Sequence, residues 1–171
     1  MRKITQIIDR AAAADLAAST ACELVLPYDT RKKSRFKAET ASGEVLGVIL
    51  PRGQVLRGGD LLADEDGGFV RIVAAMEPVS WVLGDNPQAL ARAAYHLGNR
   101  HMPLQVGEDW LCYQHDHVLD AMVRGLGLRV SVVEAAFEPE DGAYAAHSQS
   151  SSHSHSQSDS EASTHSHGHS H

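Results

Sequence analysis

Imidazoles are the side chains in this sequence best placed to do chemistry. His101 lies in the segment Gly98-Asn99-Arg100-His101-Met102-Pro103-Leu104-Gln105, between a helix-like apolar repeat and a short apolar run. His115-Asp116-His117 stands at the entrance to a second such repeat, and the last part of the chain is mostly Ser and His. Neutral imidazole suits borderline-soft divalent metals. The sequence holds no nucleophile elbow, phosphate-binding glycine loop, Cys-rich zinc set or HExxH string. Metal handling without catalysis is what remains, and no enzyme is expected.

Each histidine has a plain reading beside the chemical one. A lone loop histidine is usually a surface residue, and one imidazole holds a metal weakly. A two-fold axis would change that for His101, because an isologous contact repeats every residue across it. In extended chain, residues two apart point to the same side. If Asp116 caps a helix, His115 lies outside it and His117 begins it; both can approach one ion, or one can turn toward a partner. Alternatively, His117 simply helps to start the helix. His96, beside Tyr95, reads as an ordinary helix residue, and Cys112 as a small core residue. In the tail, His147, His153, His155, His165, His167, His169 and His171 are candidate ligands. Pairs two apart on a flexible chain can chelate. Each such site is weak because ordering the chain costs entropy, but several together raise the local ligand concentration.

Composition bounds the rest. The hydrophobic fraction is 43% and the formal charge −7, of which Asp159 and Glu161 are the tail's share. An acidic body argues against a nucleic-acid partner, which needs a basic face. Two distant cysteines, Cys22 and Cys112, are no disulfide framework, and a reducing cytoplasm is expected. Met1–Asp9 lacks a long apolar core after its basic residues, and Ala11–Ala21 is interrupted by Asp15. No cleaved signal peptide is expected. No stretch reaches the roughly 20 apolar residues of a membrane span.

The elements that must position these histidines follow from periodicity. Ile4, Ile7 and Ile8 form a short apolar start, and Ala11–Ala21 reads equally as helix or surface loop. Glu23–Leu26, Phe36–Thr40, Glu44–Leu50, Val55-Leu56, Leu61-Leu62 and Val70–Ala74 are short strand candidates separated by turn residues, with Asp66-Gly67-Gly68 as a hairpin signal. They predict a small β sandwich or barrel. The basic run within Asp29–Arg35 reads first as a solvated connection, then as a protein-docking surface. Val79–Leu83 is the next strand. Asn86-Pro87 starts a helix, Asn as cap and Pro at the first position, and Gly98 is placed to end it in the left-handed conformation. Leu104–Val106 and Trp110–Tyr113 are strands, Asp116 caps a second helix that Gly125 and Gly127 end, and Leu128–Val133 is the last strand. The second half thus reads β-α-β-β-α-β, the ferredoxin-like arrangement. The fold class is α+β: an N-terminal β domain over 1–76, a ferredoxin-like metal-binding domain over 77–144, and a disordered Ser/His-rich tail over 145–171, too polar to pack.

These residues together resemble the UreE family of urease accessory proteins, which are nickel metallochaperones. The likeness is carried by Gly98-Asn99-Arg100-His101 with Pro103-Leu104-Gln105, by His115-Asp116-His117-Val118-Leu119, and by Phe137-Glu138-Pro139-Glu140. In the first half, Leu26-Pro27-Tyr28-Asp29-Thr30-Arg31-Lys32-Lys33-Ser34-Arg35 and Leu50-Pro51-Arg52-Gly53 also match. The resemblance implies a β domain that docks protein partners and a second domain through which the chain forms a homodimer. It implies that His101 meets its symmetry mate around nickel, that His115 and His117 form further metal sites, and that copper, zinc or cobalt can bind too. The implied partners are apo-urease and the urease activation complex with its GTPase accessory protein. A passive divalent-metal store built on the His-rich tail is the alternative function.

Overall fold

The computed structural model describes residues 2–9 and 22–142. The undecided Ala11–Ala21 segment and the His-rich tail, including His147, His153, His155, His165, His167, His169 and His171, lie outside the described residues. All elements below belong to one compact unit, Met1–Asp141.

The first half forms a six-stranded sheet from β1 (Arg2–Ile8), β2 (Cys22–Leu26), β3 (Arg35–Glu39), β4 (Val45–Ile49), β5 (Leu61–Asp64) and β6 (Phe69–Ala74). Its order is β2-β6-β5-β1-β4-β3. β1 runs parallel to β4 and β2 parallel to β6; the other pairs are antiparallel. Alternation decides which face is buried: Leu24 and Leu26 of β2 point inward while Val25 between them is exposed. Leu24 and Leu26 at one edge share a single core with Ile4, Leu46, Val48 and Ile72, and Phe36 and Ala38 of the opposite edge pack on it. A sheet whose two edges meet one core has curled on itself, so it is barrel-like. Val55-Leu56 is not a strand; Leu56 is buried in this core from a loop. Gly67, at φ +83°, makes the β5–β6 hairpin turn, where a side chain would be strained.

The second half supplies β7 (Met76–Leu83), α2 (Pro87–Gly98), β8 (Gln105–Val106), β9 (Trp110–Gln114), α3 (His117–Gly125) and β10 (Arg129–Ala136), following the single-turn α1 (Tyr28–Arg31) of the first half. The four strands are antiparallel, in the order β10-β7-β9-β8. Leu90, Ala93 and Leu97 of α2 and Leu119 and Val123 of α3 bury against Val82, Leu111 and Tyr113 of the sheet. Both caps are as expected: Asn86 accepts from Gln88 N, and Asp116 from Val118 N and Leu119 N. The architecture is mixed α+β.

The expectation for the basic run needs correction at one residue. Arg31 is fully buried, not on a solvated face. Its Nε donates to Leu26 O at 3.2 Å and its Nη1 to Leu56 O at 2.9 Å. Nη2 donates to Phe137 O, beyond the last strand, and Glu138 lies 3.3 Å from Nη1. Three buried carbonyls and a carboxylate supply what a desolvated guanidinium needs. Beside it Tyr28 meets Phe137 edge-on at 5.2 Å, in a small core with Val79 and Cys112. Glu77 extends the same seam, accepting from Tyr28 N and from Gln114 Nε2.

Candidate metal site

His101 begins with how α2 ends. Met102 N donates to Leu97 O and His101 N to Gly98 O, a six-to-one bond enclosing a five-to-two bond. That pair defines a Schellman cap. Its left-handed position falls on His101, at φ 57°. Gly98, expected there, is instead the last helical residue. The apolar pair Leu97 and Met102 decides this: Met102 packs on the cluster that contains Leu97, which closes the cap over His101. Left-handed geometry costs an L-residue about 1–2 kcal/mol. His101 is the only described residue other than glycine with positive φ, and its side chain is exposed. Nothing in the packing asks for imidazole where glycine is favoured.

His115 follows β9 directly. Its N–H donates to Pro78 O at 3.2 Å, and its ring turns inward at one nitrogen, Nδ1 lying 3.1 Å from Ser80 Oγ and 3.5 Å from Asp120 Oδ2. The side chain keeps 37% exposure. Asp120 is almost fully buried on the inner side of α3 and accepts from Tyr113 Oη at 2.8 Å. Burial, reinforced by that bond, pushes the Tyr113 hydroxyl well above the usual phenol range. His117 is exposed at the first position of α3. Cys112 is buried, and burial pushes its thiol up to about 11, aided by the Glu77 charge; it is no thiolate ligand at neutral pH. His96 is a half-buried helix residue.

Topology brings the candidate ligands His101, His115 and His117 to one end of the second sheet. α2 descends to His101, from which β8 starts; β9 descends to Gln114, just before His115; and α3 rises from His117. β10 ends at this same end, with Ala136 opposite Met76. The chain beyond it is held there, Glu138 N donating to Gln105 Oε1 and Glu140 N to Leu104 O. Among the described residues, no three His, Cys, Asp or Glu side chains are gathered closely enough to hold a metal ion. The supporting residues Ser80, Tyr113 and Asp120 have no signature of their own in the sequence. The cross-strand register places Ser80 opposite Tyr113, and only packing of α3 adds Asp120.

Asp116 gives a pH prediction. Backbone donors Leu119 N and Val118 N hold its carboxyl below the ordinary value. A depressed folded value means the cap contributes fully above the unfolded value and is lost as pH falls through the folded one. Amide protection at Val118 and Leu119, taken relative to the intrinsic exchange rate at each pH, should therefore fall in acid. In Asp116→Asn, which caps without titrating, that acid dependence should vanish; parallel profiles in the two proteins would contradict the assignment.

The fold and site describe a two-domain α+β protein that presents imidazoles at one end of its second sheet. Its relatives agree on what kind of protein that is. The model of the UreE urease accessory protein N-terminal domain matches residues 4–75, and that of the UreE C-terminal domain residues 77–171. A urease accessory protein UreE from Alkalilimnicola ehrlichii is 52% identical over 144 residues, covering 84% of this chain and 85% of its own. Its namesake in Proteus mirabilis is 50% identical over 146 residues, covering 84% and 91%. One from Pseudomonas putida is 56% identical over 128 residues, covering 73% and 80%. The chain belongs to the UreE family, a family of accessory proteins and not of enzymes. No helix among the described residues is long and apolar enough to cross a membrane.

Proposed function

We propose that this chain is a cytoplasmic, homodimeric nickel metallochaperone that delivers Ni2+ to apo-urease, working with the urease activation complex and its GTPase accessory protein. The observation that carries the proposal is His101, an exposed imidazole kept in a left-handed position at an energetic cost. A two-fold axis through this end of the domain would pair two such imidazoles on one ion, which a single chain cannot do. Passive storage needs only the tail and leaves the cost at His101 without a purpose. The relatives' name, urease accessory protein, supports urease as the recipient. The strand order of the second sheet, with both helices on one core, supports reading 77–144 as the ferredoxin-like metal-binding domain. On this reading 1–76 docks partners and the His-rich segment 145–171 adds capacity. His115 and His117 form outer sites, and Zn2+, Cu2+ or Co2+ can occupy the same imidazoles.

Truncation after Tyr144 tests the division of labour. Nickel calorimetry should then count fewer ions while retaining a tight event at one ion per dimer, and light scattering should still find a dimer. Loss of the tightest event on truncation would place the principal site in the tail. Capture of the urease activation complex by the full chain, with and without nickel, tests the delivery role; no capture in either state would favour storage.

A further inference from the structure

The polar chain behind His115 has a direction. Asp120, as a carboxylate, can only accept hydrogen bonds. Tyr113 Oη lies 2.8 Å from Asp120 Oδ1 and therefore donates to it. The phenol oxygen is then free to accept, and Ser80 is the hydroxyl opposite Tyr113 in the strand register. A Ser80 hydrogen turned toward Tyr113 leaves Ser80 Oγ only lone pairs for His115 Nδ1, 3.1 Å away. The second neighbour of Nδ1, Asp120 Oδ2 at 3.5 Å, is also an acceptor. Both groups facing Nδ1 therefore call for a proton on it. Ser80 and Tyr113 are fully buried and Asp120 nearly so, so water does not readily reverse the chain. Arg124, 3.6 Å from Asp120 Oδ2, supplies a compensating charge on the outer side.

We propose that Asp120, acting through Tyr113 and Ser80, fixes His115 in the tautomer protonated at Nδ1, leaving the Nε2 lone pair free for a divalent cation. Asp120 is thus a positioning residue for an outer metal site. The metal consequence rests on the reading of His115 as a ligand; the tautomer does not. Carboxylate support of a ligating imidazole fixes ring orientation and raises ligand basicity, and its loss typically weakens metal binding ten- to hundred-fold.

The test is a long-range 1H–15N imidazole spectrum of the full chain without metal, at about pH 8, where ordinary imidazole is neutral. His115 should display the Nδ1–H pattern, with His117 as the exposed comparison. Asp120→Asn offers an amide donor to Tyr113 and permits the chain to reverse. The Tyr113 hydrogen then goes to Ser80 and the Ser80 hydrogen to Nδ1, and His115 should move toward Nε2–H. Tyr113→Phe breaks the chain in the middle and should give a mixture. Nickel titration followed on the His115 ring signals should show about ten- to hundred-fold weaker binding in Asp120→Asn, with His117 unchanged. A merely structural Asp120 would alter stability without moving the tautomer. An Nε2–H pattern at His115 in the unsubstituted protein overturns the proposal without any variant, and so does an unchanged tautomer in a folded Asp120→Asn. A tautomer that moves while nickel affinity stays constant upholds the hydrogen-bond chain and overturns the reading of His115 as a ligand.

Discussion

Arg31→Met should destabilise the Met1–Asp141 unit by about 3–5 kcal/mol, the cost of removing one partner from a buried ionic network. The loss is large because the guanidinium serves three segments at once. Leu56 O and Phe137 O would each be left buried without their donor, at about 1–3 kcal/mol apiece before relaxation, while Leu26 O would keep its bond from Ala75 N. Methionine fills much of the volume, so the effect reports hydrogen bonds and charge, not a cavity. Arg31→Lys should recover little, since an ammonium cannot reproduce the planar fork. Urea unfolding read by the stacked Trp81–Trp110 pair, 4.2 Å apart, measures the change. Faster amide exchange at Glu138 and Glu140 should accompany it, because Phe137–Asp141 is held between the first domain and the start of β8. The same segment carries Glu138, which Arg57 Nη1 and Gly58 N also bind, at 3.2 and 2.8 Å. A loss below about 1 kcal/mol would mean that water or neighbouring side chains satisfy these carbonyls, against the burial seen here.

Substitution at His101 should separate stability from metal binding. His101→Gly relieves the left-handed strain, partly offset by the greater freedom of glycine in the unfolded chain. A gain of up to about 1 kcal/mol is expected. His101→Ala keeps the strained backbone without the imidazole and should give no gain. Both variants should lose the tight, half-stoichiometric nickel event while retaining weaker sites, and both should weaken nickel-dependent association, because only a dimer presents two such imidazoles. Thermal unfolding and calorimetry on the same preparations read the two effects. Tight binding that survives in both variants would remove His101 from the principal site. A glycine variant no more stable than the alanine one would show that the cap is not strained.

A Schellman cap ordinarily takes glycine, and a protein selected for stability alone would place it at 101. An imidazole there is a local inconsistency that stability does not explain. By contrast, Asn86 and Asp116 satisfy their helices at no such cost, and they sit where cap chemistry alone would put them.

Periodicity and punctuation, both local, made much of this protein legible from its residues. Leu90, Ala93 and Leu97 at helical spacing after Asn86-Pro87, and Leu119 and Val123 after Asp116, define α2 and α3 because caps and apolar stripes act within one or two turns. The succession β-α-β-β-α-β was likewise readable, as were the His101 loop and the His115-Asp116-His117 entrance. Tertiary structure decided what depends on residues distant in sequence. Arg31 looks like part of a solvated basic run, and it is buried because Leu26, Leu56 and Phe137 converge on it with their carbonyls. The left-handed residue moved from Gly98 to His101 because Met102 had an apolar cluster to enter, and burial of that side chain outweighed glycine's backbone preference. Ser80, Tyr113 and Asp120 came together only when strand register set the first two opposite each other and α3 packed its acidic residue against Tyr113. Local sequence encodes which way a backbone turns and which face is apolar; which distant polar groups share a desolvated space depends on register and packing, where an unpaired buried charge must find its partner.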